Sequence, residues 1–199
     1  MNIAVLASHE GTTLQAVLDA CAAGTIAGGV TLVIGNNPVS GALRRARAAA
    51  VPALCLSGAT HPDPEALDRA ICAALEAHAI DIVLLAGYMK RLGRQTLARF
   101  AGRLINTHPA LLPKFGGRGM FGAAVHRAVL AAGERLSGAS VHLIDGEYDS
   151  GPLIAQATVG VREADTADSL AARVQQVERA LVVRVLAEIA SGERPLPLG

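Results

Sequence analysis

The chain has 199 residues, 51% of them apolar but only 3% aromatic, and a formal net charge of +1. That length suits one α/β domain with a sizeable core and leaves a second full domain cramped, while the near-neutral balance speaks against nucleic acid or a membrane surface as the main partner. An interior so poor in aromatics has to be packed from Ala, Leu, Val and Ile, the composition of helices laid on parallel strands.

Asn2 to Ala7 is a nearly continuous apolar run, as a central parallel strand buried on both faces should be. It enters Ser8-His9-Glu10-Gly11-Thr12-Thr13 and then an Ala/Leu-rich helix ending near Ala23. In such a strand–turn–helix unit free backbone amides and the helix dipole can hold a phosphate, although an ordinary N-cap by Thr12 or Thr13 accounts for the same residues equally well. Val30 to Ile34 is a second strand, closed by the turn Gly35-Asn36-Asn37-Pro38. Gly41 to Ala50 reads as a helix whose Arg44, Arg45 and Arg47 form a solvated basic face. Pro52 to Leu56 makes a third strand, and His61-Pro62-Asp63-Pro64 leads into a helix running to about His78. Ile80 to Ala86 is the most strongly apolar strand and exits through Gly87-Tyr88-Met89-Lys90-Arg91-Leu92.

Leu104 to Lys114 reads Leu-Ile-Asn-Thr-His-Pro-Ala-Leu-Leu-Pro-Lys. Strand side chains alternate with a period of two, so Asn106 and His108 share a side before Pro109 stops the ladder. They stand at a strand end, where open α/β sheets hold ligands. The stretch Phe115 to Gly122, with four glycines, two aromatics and a Met, reads as a mobile cover. Ala123 to Ala132 is a helix carrying His126, weighed as a packing residue. Ser137 to Ile144 and Leu153 to Val161 are strands around the turn Asp145-Gly-Glu-Tyr-Asp149. The acidic spacing there lacks the full ligand pattern of a Ca²⁺ loop, so no metal is expected. Asp149 is read as the functional carboxylate, Asp145 and Glu147 as shaping the turn, and His142 as packing within its strand. Thr166 to Ala190 is a long amphipathic helix, and Pro195 to Gly199 a short non-helical end.

An amide, an imidazole and a carboxylate converging from two loops make an acyl-transfer constellation. The first two can donate to a developing oxyanion, while the carboxylate orients the imidazole and favours its charged form. No activated nucleophile is required if the substrate brings its own amine.

At these residues the sequence resembles the folate-dependent formyltransferases, most closely those acting in purine biosynthesis. The motif Asn-x-His-Pro-x-Leu-Leu-Pro-Lys is matched from Asn106 to Lys114, the later carboxylate followed by a small residue, Gly and Pro by Asp149, and the likeness spans nearly the whole chain. The resemblance implies an α/β fold: a single-domain, Rossmann-like formyltransferase domain over residues 1–199, with a mostly parallel central sheet and helices on both faces. It implies transfer of a formyl group from 10-formyltetrahydrofolate, as co-substrate, to the amine of glycinamide ribonucleotide. Asn106, His108 and Asp149 become catalytic residues. Gly11, Thr12 and Thr13 would bind the ribonucleotide phosphate and Glu178 its ribose, with Met89, Lys90, Arg91, Leu92 and Asn106 lining the folate pocket. Four features depart from the family pattern: His9 stands at a glycine position of the phosphate loop, threonines replace its Ser-Asn, Pro64 replaces an arginine that reaches the folate, and Arg91 occupies an often apolar position.

Cys21, Cys55 and Cys72 are odd in number and widely spaced, as buried thiols in a reducing compartment would be. With no signal-peptide pattern at the start and no apolar run of about 20 residues, a cytoplasmic chain is expected, a monomer or weak homodimer without nucleic-acid or membrane partners. A formyltetrahydrofolate hydrolase, a methionyl-tRNA formyltransferase and a catalytically silent nucleotide-binding module are the alternatives.

Overall fold

In the computed structural model, which describes residues 1–198, Ile3, Val5 and Ala7 of strand β1 (Asn2–Ala7) enter one buried layer while Ala4 and Leu6 enter another. Alternation with both faces apolar forces cover on both sides, and helices supply it. The chain continues as α1 (Thr12–Ala22), β2 (Gly29–Gly35), α2 (Gly41–Ala48), β3 (Ala53–Cys55), α3 (Pro64–Ala77) and β4 (Ile82–Leu85). It is completed by α4 (Arg94–Arg99), β5 (Leu104–His108), α5 (Ala123–Ala131), β6 (Leu136–Leu143), β7 (Leu153–Gly160) and α6 (Ala167–Ala190). The seven strands form one sheet in the order β3-β2-β1-β4-β5-β6-β7. β1 to β5 pair in parallel, and β6 and β7 add antiparallel. Buried residues of α1, α2, α5 and α6 pack one face, and those of α3, with Leu92 and Phe100 on either side of α4, pack the other.

This is the mostly parallel, doubly covered sheet read from the sequence, with differences at the edges. Helix α2 stops at Ala48 because Ala49 caps it and Ala50 turns to φ 55. β3 keeps only three residues. The terminal helix begins with a capping box, Thr166 and Ser169 each accepting the other's backbone N–H. Gly199 lies outside the described residues. Among those described, no helix is long and apolar enough to cross a membrane.

Strand order reverses between β1 and β4, and the loops leaving their carboxyl ends separate there, which opens a cleft in sheets of this kind. The two loops are nevertheless tied: Ser8 N–H donates to the Gly87 carbonyl (3.2 Å) and Met89 N–H to Ser8 Oγ (2.8 Å).

Helix α4 had no counterpart in the sequence reading. Six residues form a weak helix on their own, and its N-cap Gly93 offers no side chain. The cap comes instead from Asp68 on α3, whose carboxylate accepts from Gln95 N–H (2.8 Å), Thr96 N–H (3.2 Å) and Thr96 Oγ (2.5 Å). Gly93 is required by this contact, since a Cβ there would lie 2.2 Å from Asp68 Cγ. Asp68→Ala should leave one buried and one partly buried amide without this partner and cost about 1–3 kcal/mol. A urea-unfolding midpoint equal to that of the parent would contradict this.

Candidate active site

The end of β5 carries the site because its partner runs antiparallel. Register sets Asn106 opposite His142 and His108 opposite Ser140, and both members of the first pair fall on the α3/α4 side of the sheet. Thr107, between Asn106 and His108, faces the other way and donates from Oγ1 to Glu178 Oε1 at 2.7 Å.

Asp149 joins the two imidazoles. Its Oδ2 lies 3.4 Å from His108 Nδ1 and its Oδ1 lies 3.5 Å from His142 Nε2, with its side chain only 12% exposed. The Gly117 amide donates to Oδ2 as well (2.9 Å). Burial pushes the carboxyl up, but the neighbouring His142 and His108 rings and the Gly117 amide outweigh it and hold Asp149 below the usual carboxylate range. At neutral pH the group is therefore a carboxylate.

His108 shows the opposite balance. Its Nε2–H donates to the Phe115 carbonyl (2.8 Å), and Nδ1 faces Asp149, so both ring nitrogens have an oxygen to donate to when the ring is charged. Burial nevertheless outweighs Asp149 and Phe115, and His142 adds to it, so His108 titrates below an ordinary histidine. The sequence reading expected the carboxylate to favour the imidazolium; it does act in that direction, but desolvation is larger. Two of the four non-glycine residues at positive φ among the described residues, Phe115 (57°) and Asp149 (53°), are the ones that face the nitrogens of this ring. Backbone strain of that kind persists only where surrounding structure enforces it.

His142 is buried as expected but does more than pack. Its Nδ1–H donates to the Leu143 carbonyl (2.8 Å), which leaves Nε2 as an acceptor for the Asn106 amide at 3.1 Å. One N–H of Asn106 is thereby held and its other is left for a ligand. The missed signal was positional: His142 is the penultimate residue of a strand that pairs with the Asn106 strand. His126, on α5, is buried with no protein partner for Nδ1, and its neighbour His108 helps hold it below the ordinary histidine range after burial.

A cavity of about 100 Å³ opens beside Asn106 and His142, lined further by Leu85, Tyr88, Lys90, Arg91, Leu92, Leu97 and Ile144 and by the turn 146–149. Arg91, Glu147 and Tyr148 also line a larger neighbouring cavity of about 510 Å³. Arg91 ties the two loops, donating to the Gly146 carbonyl, pairing with Glu147 at 3.5 Å and stacking over the Tyr148 ring at 5.1 Å. Asp145 shapes the turn as expected, accepting from Glu147 N–H and Ser150 Oγ, both at 3.1 Å. Met89, grouped from the sequence with the pocket wall, does not line the cavity: its amide is bound to Ser8, and its side chain is partly exposed. Tyr88, not singled out before, does line it, and burial pushes its hydroxyl up to about 12, so it stays a neutral donor.

At the end of β1, neither Thr12 nor Thr13 is the N-cap that the alternative reading offered. Gly11 caps α1 in the left-handed conformation (φ 69), Thr12 and Thr13 are the first helical residues, and no side chain bonds the helix end. First-turn amides left uncapped at a helix N-terminus are donors for an anion. Glu178 stands near this loop, with Thr13 and Thr107 as hydrogen-bond neighbours, and its burial raises the carboxyl above its ordinary value against their pull. Thus Asn106, His108 and Asp149 meet in one place, with Lys90, Arg91 and Leu92 beside them. Gly11, Thr12, Thr13 and Glu178 gather on the far side of β5.

Comparison with known proteins agrees with this geometry. Residues 1–186 match the family model described as formyl transferase. The chain is 40% identical over 192 residues to phosphoribosylglycinamide formyltransferase of Escherichia coli, covering 96% of this chain and 88% of that protein. It is 42% identical over 190 residues to the protein of the same name from Mycobacterium tuberculosis, covering 96% and 85%. The crystal structure of glycinamide ribonucleotide transformylase 1 from Symbiobacterium toebii superposes with a TM-score of 0.90 at 38% identity, over 96% of this chain and 88% of that one. With the family model matched over residues 1–186 and relatives 40–42% identical over 96% of its length, the chain belongs to the formyl transferase family.

Proposed function

We propose that the chain transfers the formyl group of 10-formyltetrahydrofolate to the amine of glycinamide ribonucleotide, with residues 1–199 acting as one formyltransferase domain. The observation that carries the reading is the ionised Asp149 seated against His108 while His142 holds the Asn106 amide with one N–H to spare. The folate lies along Lys90, Arg91, Leu92 and Asn106. The ribonucleotide places its phosphate on Gly11, Thr12 and Thr13 and its ribose by Glu178, across β5. The reaction needs no metal and no nucleic acid or membrane partner. Three free thiols fit a reducing, cytoplasmic setting, with the chain a monomer or weak homodimer.

The acceptor's neutral amine attacks the formyl carbon, and a C–N bond forms as the carbonyl oxygen gains negative charge. The free Asn106 N–H and His108 Nε2–H, released from the Phe115 carbonyl, donate to that oxyanion. His108 rests mostly neutral, which spares the free site a buried cation. The growing oxyanion raises the ring's proton affinity, so the proton released by the amine passes through water and Asp149 to His108 Nδ1, and Asp149 and the oxyanion hold the imidazolium between them. The same proton returns from Nδ1 through Asp149 and water to the departing folate nitrogen as its bond to the formyl carbon breaks. One C–N bond is made and one broken, and one proton leaves the acceptor while one arrives on the donor.

The decisive assay supplies the formyl donor with and without glycinamide ribonucleotide and follows folate release. Release only with the ribonucleotide is expected. Release in water alone would mean a hydrolase, and none with either a silent module. Asn106→Ala and His108→Ala should each lower kcat by about two to three orders of magnitude with the fold retained; near-parental turnover in either would remove its role. Because the Asp149 charge raises His108, Asp149→Asn should shift the ring to still lower pH, read by NMR titration of its carbon-bound protons. An unchanged or higher midpoint would break the proposed coupling.

A further inference from the structure

Helix α2 lines neither cavity, and its arginines read from the sequence as a solvated face. Arg44 and Arg47 are exposed, Arg44 pairing loosely with Glu10 at 3.5 Å. Arg45 is half-buried, with two of its nitrogens engaged. Its Nε–H donates to the Glu10 carbonyl (2.9 Å) and its Nη1–H to Gln15 Oε1 (3.0 Å), while Gln15 in turn donates to Asp19 (2.8 Å). One guanidinium thus spans the residue before Gly11 and the first turn of α1. The backbones are in contact there too: Ala42 N–H donates to the His9 carbonyl (3.0 Å), and a Cβ on Gly11 would lie 2.7 Å from Ala42 Cα.

In a planar trans peptide the carbonyl and the N–H point in opposite directions. Holding the Glu10 carbonyl toward α2 therefore turns the Gly11 N–H away from α2. We propose that Arg45 is the positioning residue of the anion-binding loop: it fixes the Glu10–Gly11 peptide plane so that the Gly11 amide joins those of the α1 first turn as a donor to the acceptor's phosphate. This rests on the phosphate assignment above. A flipped peptide would present the Glu10 carbonyl, an oxygen that repels a phosphate. Gly11, at φ 69, accepts the required conformation without strain. Neither bonded nitrogen of Arg45 needs to touch the phosphate itself, so the role is geometric rather than one of charge.

The test compares the parent with Arg45→Lys, which keeps the charge but cannot span both acceptors, and Arg45→Met, which keeps the apolar stem. Steady-state kinetics are run on glycinamide ribonucleotide and on its phosphate-free riboside. Both variants should raise KM for the ribonucleotide roughly tenfold, about the weight of one charge-assisted hydrogen bond, with kcat and the KM values for riboside and formyl folate unchanged. The Gly11 amide NMR signal, shifted by inorganic phosphate in the parent, should respond only weakly in both. A parental KM in Arg45→Lys would make charge, not peptide orientation, the operative property. An equal rise for the riboside would mean general distortion, and either result overturns the inference. If the parent itself fails to formylate the ribonucleotide, the functional reading falls, while the phosphate response of Gly11 still decides the role of Arg45.

Discussion

The site depends on one buried charge. A carboxylate taken out of water costs several kcal/mol unless its oxygens are met, and Asp149 has the Gly117 amide as donor at 2.9 Å with the rings of His108 and His142 at 3.4 and 3.5 Å. Each partner arrives on a different piece of chain: His108 at the end of β5, His142 on β6, and Gly117 in the glycine-rich stretch. Satisfying that charge therefore pins four segments together. It also explains why the turn tolerates a left-handed residue at 149, since the strain is small beside an unpaired ion in the interior.

The sheet makes the meeting possible. Five parallel strands bring loops to one edge, and the reversal between β1 and β4 separates the loop that offers amides from the loop that offers a half-apolar wall. The antiparallel turn-back of β6 then supplies what parallel strands cannot, a residue directly across from Asn106 on the same face. The wall is fixed from beneath by Asp68, which holds the start of α4 and with it the approach of Leu92 and Leu97 to the cavity.

Much of this was legible in the sequence because it is local. The period of two placed Asn106 with His108, Pro109 marked the strand end, and the apolar runs gave the central strands nearly to the residue. What was missed depends on contacts between distant residues. Helix α4 is too short to announce itself and takes its cap from Asp68, a full helix earlier. His142 looks like any strand histidine until pairing sets it against Asn106. Arg45 carries the same charge as Arg44 and Arg47 and differs only in reaching Glu10 and Gln15. Met89, placed in the folate wall by the family resemblance, is absent from the cavity lining, and its amide bonds to Ser8. The threonines after Gly11 suit an N-cap by residue type, yet glycine's freedom at positive φ lets it take that place instead. For His108 the pull of the carboxylate toward the charged ring was legible from the motif, but the burial that outweighs it was not.

Three consecutive residues of β5 divide the molecule. Asn106 and His108 look toward His142 and Asp149, while Thr107, between them, looks back to Glu178. The backbone at this point is a partition one peptide thick, with a different reactant proposed on each side and the reacting atoms meeting over its rim. Such a partition has no tolerance for a single-residue insertion or deletion upstream in the strand, since displacing the ladder by one position would exchange its two faces and present a hydroxyl where the imidazole belongs. Evolution can rework either chamber from its outer walls, but the length of this strand is common property of both.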